Sequence, residues 1–135
     1  MVRNQDRLTS LLIVEDDQFL SQLYVHKFEH EGFRVVCAKT GNEAEQFFAE
    51  HTPDCVLMDI GLPDRSGLDV LESLRLKGGY NDVLFVILTN NDTTRDIRRA
   101  SRLGRANYLL KAHYTPSEVV DEVNKLLYAR RNITS

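Results

Sequence analysis

The chain has 135 residues, 42% hydrophobic and 27% charged, with a formal net charge of -3. That is enough apolar material for one domain with an ordinary core, and there is no excess of basic charge to draw it onto nucleic acid. The polar opening from Met1 to Ser10 has no secretory apolar region, and the first apolar run stops at Glu15-Asp16-Asp17, so neither a signal peptide nor a membrane span is expected.

Apolar runs suited to buried strands alternate with helix-like segments five times along the chain. The first strand is Leu11 to Val14, followed by a helix capped by Asp17 with apolar residues at Leu20, Leu23, Tyr24 and Phe28. Arg34 to Ala38 forms the second strand; Thr40 and Glu43 then match a capping box ahead of Ala44, Phe47 and Phe48. Cys55 to Met58 is the third strand, and Ser66 with Asp69 opens a helix carrying Leu68, Leu71 and Leu74. Val83 to Leu88 is the fourth strand, followed by a weakly patterned helix capped by Asp92 and carrying Ile97 and Ala100. Ala106 to Leu110 is the fifth. Thr115, Pro116 and Glu118 start a last helix with Val119, Val120, Val123, Leu126 and Leu127 on one side. Gly32, Gly78 and Gly104 stand just past helix ends, where a left-handed residue stops a helix. Cys37 and Cys55 lie in separate apolar runs without metal-ligand spacing, which reads as two buried, reduced thiols. Strict alternation of this kind predicts a parallel sheet with helices on both faces.

In such a sheet the carboxyl ends of the strands form the crevice where ligands bind. Glu15 and Asp16 follow the first strand, Asp59 the third, and Lys111 the fifth, while Thr89 closes the fourth. Carboxylates crowded there repel: two unit charges about 4 Å apart cost roughly 4 kcal/mol at an effective dielectric near 20. Either one carboxyl keeps its proton or a hard divalent cation binds, and an all-oxygen cluster suits magnesium. An aspartate beside a metal, a lysine and a hydroxyl is suited to phosphoryl chemistry, in which the equatorial oxygens need neutralising charge.

Glu15-Asp16, the turn Asp59-Ile60-Gly61-Leu62-Pro63 with Gly67 beyond it, Thr89, and Tyr108 three residues before Lys111 together resemble the receiver domain of two-component response regulators. The likeness runs from about Leu11 to Leu127. It implies a flavodoxin-like, doubly wound, five-stranded parallel sheet in the order 2-1-3-4-5. It divides the chain into a polar tail at 1–10, a receiver domain at 11–130 and a tail at 131–135. The resemblance also implies that Asp59 accepts a phosphoryl group from a phosphohistidine of a sensor kinase or phosphotransfer protein. Such a chain is no enzyme in the ordinary sense, since it assists only its own phosphorylation and dephosphorylation. Asp16, Asp59 and the Gly61 backbone carbonyl would ligate magnesium, or manganese in its place, with Glu15 acting through water. Lys111 and Thr89 would hold phosphoryl oxygens, and Thr89 and Tyr108 would relay the change to the face of helix four, strand five and helix five. Gly61, Asn90 and Asn91 occupy positions that tune hydrolysis. A cytoplasmic location is expected, with no direct contact to nucleic acid or membrane.

Two departures from the family pattern bear on the site. Ala112 stands where the family has a proline after the lysine, so a trans bond and a displaced loop are expected at Lys111. Asn90 stands where a small residue is usual, and is expected to impede access to Asp59. A displaced Lys111 loop is the ground for the alternative function, a receiver-like scaffold working through phosphorylation-independent contacts. Two further classes fit poorly. A haloacid-dehalogenase-like phosphatase needs a second aspartate where Gly61 stands, and a flavin protein needs a phosphate loop where Glu15-Asp16-Asp17 would repel it. Arg95, Arg98, Arg99, Arg102 and Arg105 make helix four basic; charge runs usually form solvated faces. A homodimer using Asp121 and Glu122 against them is the sharper reading. His26 and His30 have the i, i+4 spacing of a metal pair but read as an exposed helix face, and His51 and His113 read as loop residues.

Overall fold

The computed structural model describes residues 8–78, 80–90, 94–104 and 106–134. The expected roles of Asn91, Asp92 and Arg105, and most of the polar N-terminal tail, fall outside the described residues. The elements in chain order are β1 (Ser10–Val14), α1 (Gln18–His30), β2 (Arg34–Ala38), α2 (Gly41–Glu50), β3 (Cys55–Asp59), α3 (Gly67–Lys77), β4 (Leu84–Thr89), α4 (Thr94–Arg102), β5 (Asn107–Leu110) and α5 (Pro116–Thr134). A single 3-10 turn, Lys111–His113, joins β5 to α5. All pairings are parallel, and the strand order is β2-β1-β3-β4-β5, the doubly wound order expected.

The central strands are apolar on both faces because helices cover both. Leu11, Ile13, Leu57, Val86 and Leu88 meet Tyr24 and Phe28 of α1 and Val119 and Val123 of α5. The alternate residues Leu12, Val14, Val56, Met58, Phe85 and Ile87 meet Phe48 of α2 and Leu71 and Leu74 of α3. Side chains that alternate along a strand thus feed two cores, and each fully buried Leu, Ile or Phe stabilises the fold by about 1.5–3 kcal/mol. On the second face the Phe48 and Phe85 rings stack 6.1 Å apart, and the Arg75 guanidinium lies 4.9 Å from the Phe85 centroid.

Helix starts follow their side-chain chemistry. Asp17 Oδ1 accepts the Leu20 amide (3.0 Å), Ser66 and Asp69 form a capping box, and Thr115 and Glu118 exchange bonds of 2.9 and 3.2 Å. At α2 the Thr40 hydroxyl accepts the Glu43 amide, but the Glu43 carboxylate reaches one residue further back, to the Lys39 amide (2.8 Å), so the expected box is not reciprocal. Gly32, Gly78 and Gly104 all have positive φ, though Gly78, with ψ of 172°, is extended rather than left-handed helical.

Two expectations are corrected. Cys37 is exposed, because β2 is an edge strand facing solvent along much of its length, and only Cys55 is a buried thiol. Helix α5 runs from Pro116 through Thr134. Strands β3 and β4 each extend one residue further than expected, drawing Asp59 and Thr89 into the ladder. No helix of the described residues is long and apolar enough to cross a membrane.

Candidate phosphoacceptor site

Parallel pairing brings every strand's carboxyl end to one edge. Asp59 pairs with Leu88 and Thr89 with Leu110, so the polar ends of β3, β4 and β5 line up side by side. The Glu15 amide, just past β1, donates to the Ala38 carbonyl at 3.0 Å and keeps Glu15 on the same rim. Glu15, Asp59 and Thr89 are buried at 3%, 6% and 8% exposure, whereas Asp16 is open to solvent.

One carboxylate oxygen from each of Glu15, Asp16 and Asp59 lies within 4.8 Å of the others. Lys111 Nζ donates to Glu15 Oε1 at 2.8 Å and to Asp59 Oδ2 at 2.9 Å. Backbone amides take up further oxygens, Gly61 N–H on Asp59 Oδ1 (3.0 Å) and Asp17 N–H on Glu15 Oε2 (3.1 Å). Burial pushes the Glu15 carboxyl above its usual range, outweighing the Lys111 bond. Burial works against the charge on Lys111, but its two carboxylate partners prevail and raise its pKa. Three carboxyl groups face one ammonium at the rim, a formal surplus of two negative charges when all are ionised. An all-oxygen donor set with that surplus and one solvent-facing member fits a hard dication.

The loop after Asp59 is closed tightly. Ile60 N–H donates to the Leu88 carbonyl (2.9 Å) and Gly67 N–H to the Ile60 carbonyl (2.8 Å). A Cβ on Gly67 would lie 2.5 Å from the Asp59 carbonyl oxygen, so only glycine lets α3 start there. Between these points Gly61 and Ser66 form an isolated bridge.

The structure brings Glu15, Asp16, Asp59, Gly61, Thr89 and Lys111 to one place. The Lys111 loop is not displaced out of reach: no described peptide bond is cis, the chain enters the 3-10 turn, and the long lysine side chain still spans to Asp59. The loop displacement offered as a reason for the scaffold alternative is not observed. Asn90 is exposed on the rim just past β4. Tyr108 is half-buried with its hydroxyl enclosed and without a hydrogen-bond partner among the described residues, and burial pushes its pKa up to about 12. Beside it lies a cavity of about 200 Å³ lined by Ile60, Thr89, Ile97, Tyr108 and Leu110.

Among the described residues the basic patch of α4 is smaller than its sequence spacing implies. Arg99 turns toward α3 and pairs with Asp69 (2.6 Å) and Glu72 (2.9 Å), leaving Arg95, Arg98 and Arg102 as the exposed stripe. Glu122 pairs with Lys125 of its own helix at 3.4 Å, and Asp121 is exposed. His26 and His30 are exposed on α1, and His51 and His113 are exposed as well.

A second polar cluster escaped sequence reasoning. Glu45 of α2 takes an ion pair from Arg65, a hydrogen bond from Ser73 (2.7 Å) and one from Lys77 (2.9 Å), while Asp64 accepts the Gly41 and Asn42 amides at 2.9 Å each. The partners are 20 to 32 residues apart, and no local pattern joins them.

A family model described as response regulator receiver domain matches residues 11–124. The chain is 34% identical over 119 residues to the Regulator of RpoS of Escherichia coli (strain K12), a match covering 88% of this chain and 34% of that protein. It is 35% identical over 105 residues to the transcriptional regulatory protein KdpE of Mycobacterium tuberculosis, covering 77% of this chain and 45% of that one. With the response regulator SaeR of Staphylococcus aureus it shares 31% over 120 residues, covering 89% and 51%. The chain therefore spans about a third to a half of the length of these relatives. Among solved structures, the receiver domain of the Francisella response regulator 1452 superposes with a TM-score of 0.79 at 28% identity, covering 91% of this chain and 98% of that one. The chemotaxis response regulator CheY4 of Vibrio cholerae, at 19% identity, has the same fold with a TM-score of 0.79, covering 87% and 98%.

Proposed function

The chain belongs to the response regulator receiver domain family of two-component signalling, and from that premise we propose that it is a phosphorylation-activated switch whose acceptor is Asp59. The donor is a phosphohistidine of a sensor histidine kinase or a phosphotransfer protein. A bond from an Asp59 carboxylate oxygen to phosphorus forms as the bond from phosphorus to the imidazole nitrogen breaks, and the electron pair leaves with that nitrogen. Asp16, Asp59 and the Gly61 carbonyl, with Glu15 through water, would hold a magnesium ion, which supplies positive charge next to the phosphoryl oxygens.

The chain's own residues do the rest. Lys111, already 2.9 Å from Asp59, exchanges a carboxylate oxygen for a phosphoryl oxygen and stays charged throughout. Thr89, at the adjoining strand end, offers its hydroxyl to another. Its shift opens room for Tyr108, whose enclosed hydroxyl has no partner among the described residues to give up and whose ring borders the cavity under α4. Repacking there alters the surface of α4, β5 and α5, a local charge biasing a packed element with two arrangements. Asn90 stands at the rim where water or a donor must approach, and with Gly61 and Asn91 it sets how long the phosphoryl group survives.

The observation that carries this reading is the buried Asp59 carboxylate held between Lys111 and the Gly61 amide, within 4.8 Å of two further carboxylates. Incubation with acetyl phosphate and magnesium, followed by intact mass measurement, tests it. The wild type should gain one phosphoryl group and Asp59→Asn none. A wild type that gains nothing, or an Asp59→Asn protein that still labels, overturns it.

A further inference from the structure

The loop from Ile60 to Ser66 carries Gly61; its start is tied to the sheet by Ile60 N–H on the Leu88 carbonyl, and its close is tied back to that start by Gly67 N–H on the Ile60 carbonyl. Its middle is tied elsewhere. Asp64 places one carboxylate oxygen on the Gly41 amide and the other on the Asn42 amide, each at 2.9 Å, so that it caps the first two amides of α2 from outside the helix. The α2 N-terminus supplies its own cap only for the next amide, through Thr40 on Glu43. Arg65 follows with an ion pair to Glu45 one turn along α2, and Glu45 is held in turn by Ser73 and Lys77 of α3. The seating is close: a Cβ on Gly41 would lie 2.7 Å from Val70 Cγ2 and 3.0 Å from Arg65 Nε. The Asp64 carboxyl lies below its usual range, chiefly because of the Gly41 amide, as an engaged anchor should.

We infer that Asp64 and Arg65 are positioning residues for the acceptor: by fastening the middle of this loop to α2, they hold Gly61 beside Asp59 with its carbonyl ready for the ion. The inference rests on the reading of Asp59 and its neighbours as a magnesium-dependent phosphoacceptor. Neither residue touches the ion or the phosphoryl group. Their effect is to reduce the ordering that ion binding would otherwise require of the Gly61 loop, the role that supporting contacts have around metal ligands.

Magnesium titration calorimetry and thermal unfolding on wild type, Asp64→Ala, Arg65→Lys and Thr40→Ala separate this role from a merely structural one. Thr40→Ala removes a cap from the same helix end without touching the loop, so it should lower the melting temperature and leave magnesium affinity unchanged. Asp64→Ala should weaken magnesium binding about tenfold, the scale of lost supporting contacts, and slow labelling by acetyl phosphate while the folded baseline is retained. Arg65→Lys keeps the charge and should lie closer to wild type. If Asp64→Ala binds magnesium as wild type does, or if Thr40→Ala weakens binding equally, the inference is wrong. If the wild type itself takes up no magnesium, the phosphoacceptor reading fails first, and the inference with it.

Discussion

Two polar clusters sit on opposite sides of the Asp59 loop, and they are built on opposite plans. At the rim, Glu15, Asp16 and Asp59 converge on a single lysine, and like charges are pressed together with two of the carboxylates buried. On the α2–α3 side, Glu45 is met by Arg65, Ser73 and Lys77, and Asp64 by two backbone amides, so each carboxylate is answered by several donors. The first arrangement leaves like charges facing one another across a single lysine, whereas the second answers each carboxylate with several donors of the chain itself. Under the proposed function, unbalanced buried charge marks the site of chemistry and balanced charge marks where the molecule secures its shape.

The contrast can be broken most severely at Lys111. Lys111→Ala leaves Glu15 and Asp59 facing each other without a cation, and removing one member of a buried pair costs about 3–5 kcal/mol. Urea denaturation in a chelator should show that loss, and magnesium should restore much of it by binding the native state alone. A variant as stable as wild type in chelator would mean that the rim is not strained.

A smaller effect is expected from Glu45→Gln, about 1.5 kcal/mol for charge-assisted hydrogen bonds near the surface. Burial acts against the charge, but bonds from Lys77, Ser73 and Arg65 hold the Glu45 carboxyl at about 2, below the ordinary 4.5. A depressed carboxyl contributes stability that is complete above its unfolded value and disappears as pH falls through its folded one. The melting-temperature gap between wild type and Glu45→Gln should therefore be full at neutral pH and close between about 4.5 and 2. A gap that ignores pH would assign the effect to packing.

The smallest effect has the opposite sign. Tyr108→Phe removes an enclosed hydroxyl that has no partner among the described residues, and should raise stability by about 1 kcal/mol. Calorimetric melting would check it, and a loss of stability would show that the hydroxyl is satisfied in solution.

The sheet was largely legible because each of its strands left a local mark. Apolar runs placed the strands, and Asp17, Ser66 and Thr115 announced helix starts that the backbone adopts. The rim was legible for a topological reason: parallel strands must deliver Asp59, Thr89 and Lys111 to one edge. What remained hidden depended on position in three dimensions. The run around Cys37 resembles the one around Cys55, but one became the edge of the sheet and the other its middle. Arg99 resembles its neighbours on α4 and differs only because α3 brings Asp69 and Glu72 to it. The Glu45 and Asp64 contacts join residues more than a dozen positions apart, and no periodicity predicts them.

The unequal fate of the two thiols equips the molecule with its own reporter. A maleimide dye offered to the native protein should attach at Cys37 alone, since Cys55 has no exposure and burial pushes its thiol up to about 12. A second equivalent of dye needs the core face around Cys55, packed by Tyr24 and Phe28 of α1 and Val119 and Val123 of α5, to open, so labelling stoichiometry reports opening of that core against the background from the sheet's edge.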